Sequence, residues 1–240
     1  MKWHRHTYLA GLLITISNIF IAEATVPNDT TYVVGVSAGY GYNETYAHYG
    51  LFTLDTRLPI SSHFAGEVNT RAQTVNSYDF SFHLYPIFPL KSGKLFFDMH
   101  ILYNLNARNR IHGLCGGLSF GYTMDYVELS VGYGIRLSAI FGMSKRTAEN
   151  GLFEPHNLLY HVELYARPRS SIWNISACIS NVTDYQQERM FTPVFFIKNY
   201  VMLRAHWKLK TEIACKPVGL SNLSPSFYGA TGRIGIEYHF

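Results

Sequence analysis

Asp79, Ser81 and His83 fall at every second position of one segment, and His161 and Glu163 do the same in another. A hydroxyl, an imidazole and a carboxylate are the groups from which a hydrolase assembles a nucleophile, its base and the group that orients the base. Ser81, His83, His161 and Glu163 are therefore the candidates for catalysis. Positions i and i+2 of an extended chain lie about 7 Å apart, so Ser81 and His83 do not reach each other without a neighbouring strand, and no hydrolase signature accompanies them. A second pattern is electrostatic. Arg204, His206, Lys208 and Lys210 alternate along residues 199–213, the densest same-sign stripe in the chain. Fixed cations at that spacing ease the passage of an anion. The same groups brace a wall when carboxylates such as Glu212 and Glu237 face them, and this plainer reading carries more weight.

No metal or cofactor is expected. His4, His6, His48, His63, His112 and His156 stand at no metal-ligand spacing with cysteine or carboxylate. Cys115, Cys178 and Cys215 are odd in number and widely spaced. Cys115 and Cys178 point inward from strands three apart, too distant for a bridge.

The elements that carry these groups have a period of two. Val127, Leu129, Val131, Tyr133, Ile135 and Leu137 alternate with Glu128, Ser130, Gly132, Gly134, Arg136 and Ser138. Leu95, Phe97, Met99, Ile101 and Tyr103 alternate in the same way with Phe96, Asp98, His100, Leu102 and Asn104. Successive side chains of a strand point to opposite faces, so each segment has one apolar face and one polar or small face. The polar faces collect Asp98, His100, Glu128, Arg136, Arg204, His206, Lys208, Lys210, Arg233 and Glu237 as the lumen-lining set, with Asp55, Arg57, Glu67, Arg71 and Arg167 beside them.

The pattern predicts strands over 31–42, 48–58, 63–73, 77–86, 94–105, 111–122, 126–141, 156–167, 171–182, 190–197, 199–213 and 227–240. Many of these exceed the usual soluble strand of about 5–6 residues and reach the roughly 9–11 that a membrane-spanning strand needs. Twelve is an even number, as a single-chain barrel requires. Ten is the second choice, because 190–213 also reads as one bent strand. Short connections at 59–62, 123–125, 168–170 and Lys198 read as turns at one end, and longer polar ones at 142–155, 182–189 and 214–226 as loops at the other. Residues 86–93, with two prolines, stand out as a long turn on the short side.

Composition agrees. Charged residues are 15% against 48% hydrophobic, and aromatics are 15%. That excludes a disordered chain or a coiled coil, and a net charge of +4 is too small to argue for nucleic acid. Lys2 and Arg5, an apolar stretch over 9–21 and Ala22-Glu23-Ala24 predict a cleavable signal peptide over 1–24 and export of a single domain, 25–240.

Tyr228, Ala230, Gly232, Ile234, Ile236, Tyr238 and Phe240 then share one face of the last segment. This resembles the final strand of bacterial outer-membrane β-barrel proteins, which commonly ends on an aromatic residue with apolar residues at alternating positions before it. The resemblance implies a closed antiparallel transmembrane β-barrel in the cell outer membrane, in contact with lipid. It also implies Tyr238 and Phe240 as a signal read by the barrel-assembly machinery. The expected function is a non-enzymatic narrow pore, or a structural or partner-binding barrel with its protein partner left open. An integral hydrolase of lipid or peptide is the alternative, and a secreted soluble β-sandwich the second.

Overall fold

The computed structural model describes residues 31–240 except 45–46, 62, 108–110, 141–152, 184–185, 188–191 and 219–225. The expected signal peptide lies outside the described residues. In chain order the strands are β1 (Val33–Asn43), β2 (Ala47–Ser61), β3 (Phe64–Gln73), β4 (Ser77–Leu90), β5 (Gly93–Asn106), β6 (Ile111–Thr123), β7 (Val127–Ile140), β8 (Phe153–Tyr165), β9 (Trp173–Ser180), β10 (Val182–Thr183), β11 (Gln186–Gln187), β12 (Val194–Arg204), β13 (Trp207–Val218) and β14 (Ser226–His239). All except β10 and β11 form one closed antiparallel barrel of twelve strands.

Closure is direct. β1 pairs with β14 from Val33↔His239 to Asn43↔Gly229, and with β2 from Val33↔Arg57 to Asn43↔Ala47. A ring without an open edge leaves no row of backbone donors and acceptors unmatched, which a hydrocarbon surround demands.

The alternation sorts side chains by polarity in the sense opposite to a soluble protein. Val36, Phe52, Phe80, Ile101, Leu118, Val131, Ile197, Ile213 and Ile234 are exposed on the outside. Thr53, Asn69, Asp79, Ser81, His83, His100, Glu163, Asn174, Ser176 and Glu212 are buried on the inside. Leaving apolar surface in water costs about 25 cal/mol per Å², so a belt running round the whole ring is built to meet hydrocarbon. The sandwich alternative is thereby corrected: among the described residues no second layer covers the apolar face, and the other sheet is the β10–β11 hairpin.

The barrel has two unlike ends. At the end that carries Val33 and His239, the connections are short: 91–92 between β4 and β5, 124–126 between β6 and β7, 166–172 between β8 and β9, and 205–206 between β12 and β13. Two of these correct the sequence reading. The prolines at 86 and 89 lie within β4 rather than in a long turn. Pairing to β5 resumes past Pro86 in unchanged register, Leu84↔Met99 and then Ile87↔Phe96. The amide of Ile87 donates to His63 O at 2.7 Å, so the lost proline donor costs one ladder bond and not the strand. Lys198 is no turn either. It sits mid-strand between Ala177↔Ile197 and Ile175↔Asn199, and the chain reverses at Ala205–His206. That reversal also removes the ten-strand count.

At the opposite end Asn76 takes a positive φ of 58° to close the turn between β3 and β4, a conformation asparagine tolerates better than most residues. Asn181 extends the short β9 ladder with its side chain. Its amide oxygen accepts from Tyr160 N at 2.8 Å, and its amide nitrogen donates to Leu158 O at 2.5 Å. The connection that follows carries the β10–β11 hairpin, and β11 approaches β5, four places round the ring from β9. A connection lying over its own edge would not reach there, so the hairpin crosses the mouth.

Candidate functional site: a charge-paired lumen

The inner faces of the strands meet in a lumen whose charges come in opposed sets. At the end with the short turns it opens into a chamber of about 710 Å³, lined by Asp55, Arg57, Glu67, Arg169, Lys208, Lys210 and Glu237 among others. Deeper in, Thr53, Ser81 and Leu159 are fully buried, and Leu102 and Ser176 nearly so. These side chains are covered by their neighbours on the inner wall.

Three groups of contacts organise the wall. On β2–β4, Arg57 stands 3.6 Å from Glu67, and Arg71 holds Asp79 at 2.5 Å while Asn104 donates to the same carboxylate. Asp98 lies between two imidazoles, 2.9 Å from His83 Nδ1 and 3.0 Å from His100 Nδ1. On β7–β12, Glu163 accepts from Lys198 at 2.9 Å and from Ser176, and His161 lies 3.5 Å from it. Glu128 is held by Arg169 at 2.7 Å, with His161 at 3.7 Å. On β13–β14, Arg233 donates to Glu212 at 2.9 Å, while Lys208 and Lys210 share Glu237 at 3.5 and 3.6 Å. Lys208 also lies over the Tyr200 ring, 4.3 Å from its centroid. A buried ion carries a desolvation penalty of several kcal/mol that only a well-placed partner offsets. Matched charges let a polar wall survive inside an apolar sleeve.

The sequence candidates are distributed as follows. Asp98, His100, Glu128, Lys208, Lys210, Arg233 and Glu237 occupy the inner face in the contacts just described, and Arg136 sits half-buried on the inner face of β7. Arg204 requires a correction. The register shifts between Met202 and Arg204 and sets Arg204 opposite Trp207. Trp207 packs edge-on against Tyr238 on the outer surface, so the bulge turns exposed Arg204 to the rim. His206 lies in the turn, with its Nδ1 2.7 Å from His239 O and its ring stacked on Tyr238. The expected four-residue stripe is thus divided, and Lys208 and Lys210 alone face the lumen. Arg167 lies over the outer Trp173 ring, whereas Arg169 of the same turn lines the chamber. Tyr238 and Phe240 form an aromatic cluster with Trp207 on the outer rim.

For the catalytic candidates, the hydroxyl of Ser81 accepts from Asn69 Nδ2 at 3.3 Å, while His83 is engaged with Asp98. The two do not form a nucleophile–base pair. His161 and Glu163 do meet, and the structure adds Cys178, whose sulfur lies 3.6 Å from His161 Nδ1. Thiol, imidazole and carboxylate in that order suit nucleophilic chemistry in general. Here Cys178 is 5% exposed and Glu163 is tied to Lys198 and Ser176, and neither lines the chamber. The grouping is a buried hydrogen-bond chain.

Two clusters were hidden from the sequence: His83–Asp98–His100 and His161–Glu163–Cys178, each with its donor atoms within 4.8 Å of one another. The signal for the first was a two-residue turn at Lys91–Ser92, which fixes the register that pairs His83 with His100. The second depends on the turn at 166–172 that sets Glu163 against Cys178.

No known protein family matches the sequence, and no curated protein matches it either. Among solved structures, the barrel is similar to a KdgM porin in complex with disordered oligogalacturonate, with a TM-score of 0.54 at 9% identity over 87% of this chain and 99% of that one. It is similar to a NanC porin with a TM-score of 0.53 at 11% identity, over 85% and 98%. A second KdgM porin structure gives 0.50 at 11%, over 86% and 99%. The likeness runs nearly the whole length of those porins, and the chain shares their fold: a closed twelve-stranded antiparallel barrel.

Proposed function

We propose that the chain is a non-enzymatic outer-membrane barrel acting as a narrow pore for small ions, restricted at one mouth by the β10–β11 hairpin. The observation that carries this reading is the combination of an apolar outer belt with a charged chamber that opens at the short-turn end. The outer-membrane location is supported by the belt, by ring closure and by the porin likeness. Lipid is the partner the belt is made for, and the outer aromatic cluster of Tyr238 and Phe240 is the feature offered to the assembly machinery. One of the similar porins was solved with a polyanion, oligogalacturonate. In this lumen Arg233 is matched by Glu212 and the Lys208–Lys210 pair is half offset by Glu237, which leaves little free positive charge for a long polyanion and favours small ions.

Planar-bilayer recording tests the reading. The wild-type barrel is expected to give small conductance steps, and replacing Val182–Gln187 with a short Gly-Ser link is expected to enlarge them severalfold. Silence from both proteins, each shown to be folded by its shifted migration on an unboiled gel, would replace the pore with a structural barrel. That second reading is favoured by one observation, the complete burial of Thr53, Ser81 and Leu159 deep in the lumen.

A further inference from the structure

We propose that His83, Asp98 and His100 form an intramural binding site for a divalent transition-metal ion of the zinc type, bridging β4 and β5. His83 faces His100 directly across the two strands, and Asp98 is one inward position away on β5. The three donor atoms lie within 4.8 Å of one another, and each Asp98 oxygen is about one hydrogen bond from an imidazole nitrogen: 2.9 Å from His83 Nδ1 and 3.0 Å from His100 Nδ1. Zinc binds imidazole nitrogen at about 2.0–2.1 Å and carboxylate oxygen at about 2.0–2.2 Å, which places neighbouring ligand atoms roughly 3.3 Å apart in a tetrahedron. The two carboxylate–imidazole separations lie slightly below that spacing and would open a little around an ion, while the remaining donor pairs, all within 4.8 Å, would close towards it. Two imidazoles and one carboxylate leave further positions for water, the ligand set that borderline divalent ions accept.

Charge balance singles out this cluster from the other. Glu67, Asp79, Glu128, Glu163, Glu212 and Glu237 each have a lysine or arginine within 4.0 Å. Among the described residues Asp98 has only the two imidazoles, which are positive only when protonated. An inward carboxylate that is 14% exposed calls for a lasting positive partner. A divalent ion supplies one. The His161–Glu163–Cys178 group offers as many ligand atoms, but Lys198 already neutralises Glu163 and would repel a second cation. On binding, each imidazole presents the Nδ1 lone pair to the metal, with its remaining proton on Nε2, and any excess proton leaves to solvent.

Because the ligands sit on neighbouring strands, the ion adds a cross-strand link inside the wall, and binding to the folded form alone raises its stability by mass action. The test uses full-length barrel folded in detergent, stripped with chelator and titrated with zinc chloride alone. Wild type is expected to take up one zinc ion per barrel and to unfold at a higher temperature with zinc than with chelator. Asp98→Asn and the double variant His83→Gln/His100→Gln are expected to bind at least tenfold more weakly and to lose that thermal shift, while Cys178→Ser matches wild type. Variant folding is read from gel migration before and after boiling. Where a variant does not fold, the wild-type thermal shift and its reversal by chelator decide the matter. Folded wild type that takes up no zinc overturns the proposal, as does binding that survives His83→Gln/His100→Gln or is lost in Cys178→Ser.

Discussion

Lys198 Nζ lies 2.9 Å from Glu163 Oε2, a contact between β12 and β8 that reaches past the intervening β9. Ser176 on β9 donates to the other oxygen of the same carboxylate. Three consecutive strands of the ring are thus tied at one point, and both charged groups are largely withdrawn from solvent, with side-chain exposures of 17% and 4%.

Lys198→Met is expected to leave Glu163 buried without its cation and to cost roughly 3–5 kcal/mol, as is typical when one member of a buried pair is removed. Adding Glu163→Gln is expected to restore much of the loss. Urea unfolding in detergent micelles measures both. Equal destabilisation by the single and the double variant would show that the pair is not the cause.

Ion preference separates lumen from rim. Lys208→Gln/Lys210→Gln leaves Glu237 in the chamber without a lysine partner and is expected to move the reversal potential, in a salt gradient across a planar bilayer, towards cation selectivity. Arg204→Gln is expected to leave it unchanged, because the bulge before Arg204 carries that side chain outside. A shift from Arg204→Gln equal to that of the lysine variant would contradict the placement.

Gly121 lies directly beneath the ring of Phe96, its cross-strand partner, and an added methyl would overlap the ring atoms. Gly121→Ala is expected to cost about 1–3 kcal/mol by overpacking. The same substitution in a Phe96→Ala background is expected to cost far less, so a double-mutant cycle checks the contact.

The outer face makes its own prediction. Ile197 and Ile213 are direct neighbours on β12 and β13, 58% and 62% exposed. Ile213→Arg is expected to cost roughly 2–4 kcal/mol in lipid, measured by reversible unfolding in vesicles, with Ile213→Leu near neutral. A surface facing water would tolerate the arginine.

Much of the fold was legible because polarity alternates residue by residue and a spanning strand needs that alternation over its whole length. Val127–Leu137 against Glu128–Arg136 illustrates how completely the pattern separates the faces. What was lost lay where a turn carries no turn residue. Ala205–His206 joins two strands that read continuously in period two, so the reversal left no mark and Lys198, in a polar Lys-Asn pair between apolar residues, took its place. Prolines suggested a loop at 86–93, although a strand absorbs a proline by giving up one donor. Both errors move register, and register decides which inward groups meet. Arg204 therefore joined the wrong stripe, and the facing of His83 with His100 stayed hidden because it depends on the tight turn at Lys91–Ser92.

Among the described residues the chamber sits at the short-turn end of the lumen, with the fully buried Thr53, Ser81 and Leu159 deeper in. Carriers approaching from the two sides meet the electrostatic field and the constriction in opposite order. On the proposed pore reading, this arrangement is expected to pass current unequally under voltages of opposite sign, so rectification would reveal the orientation of a single inserted molecule.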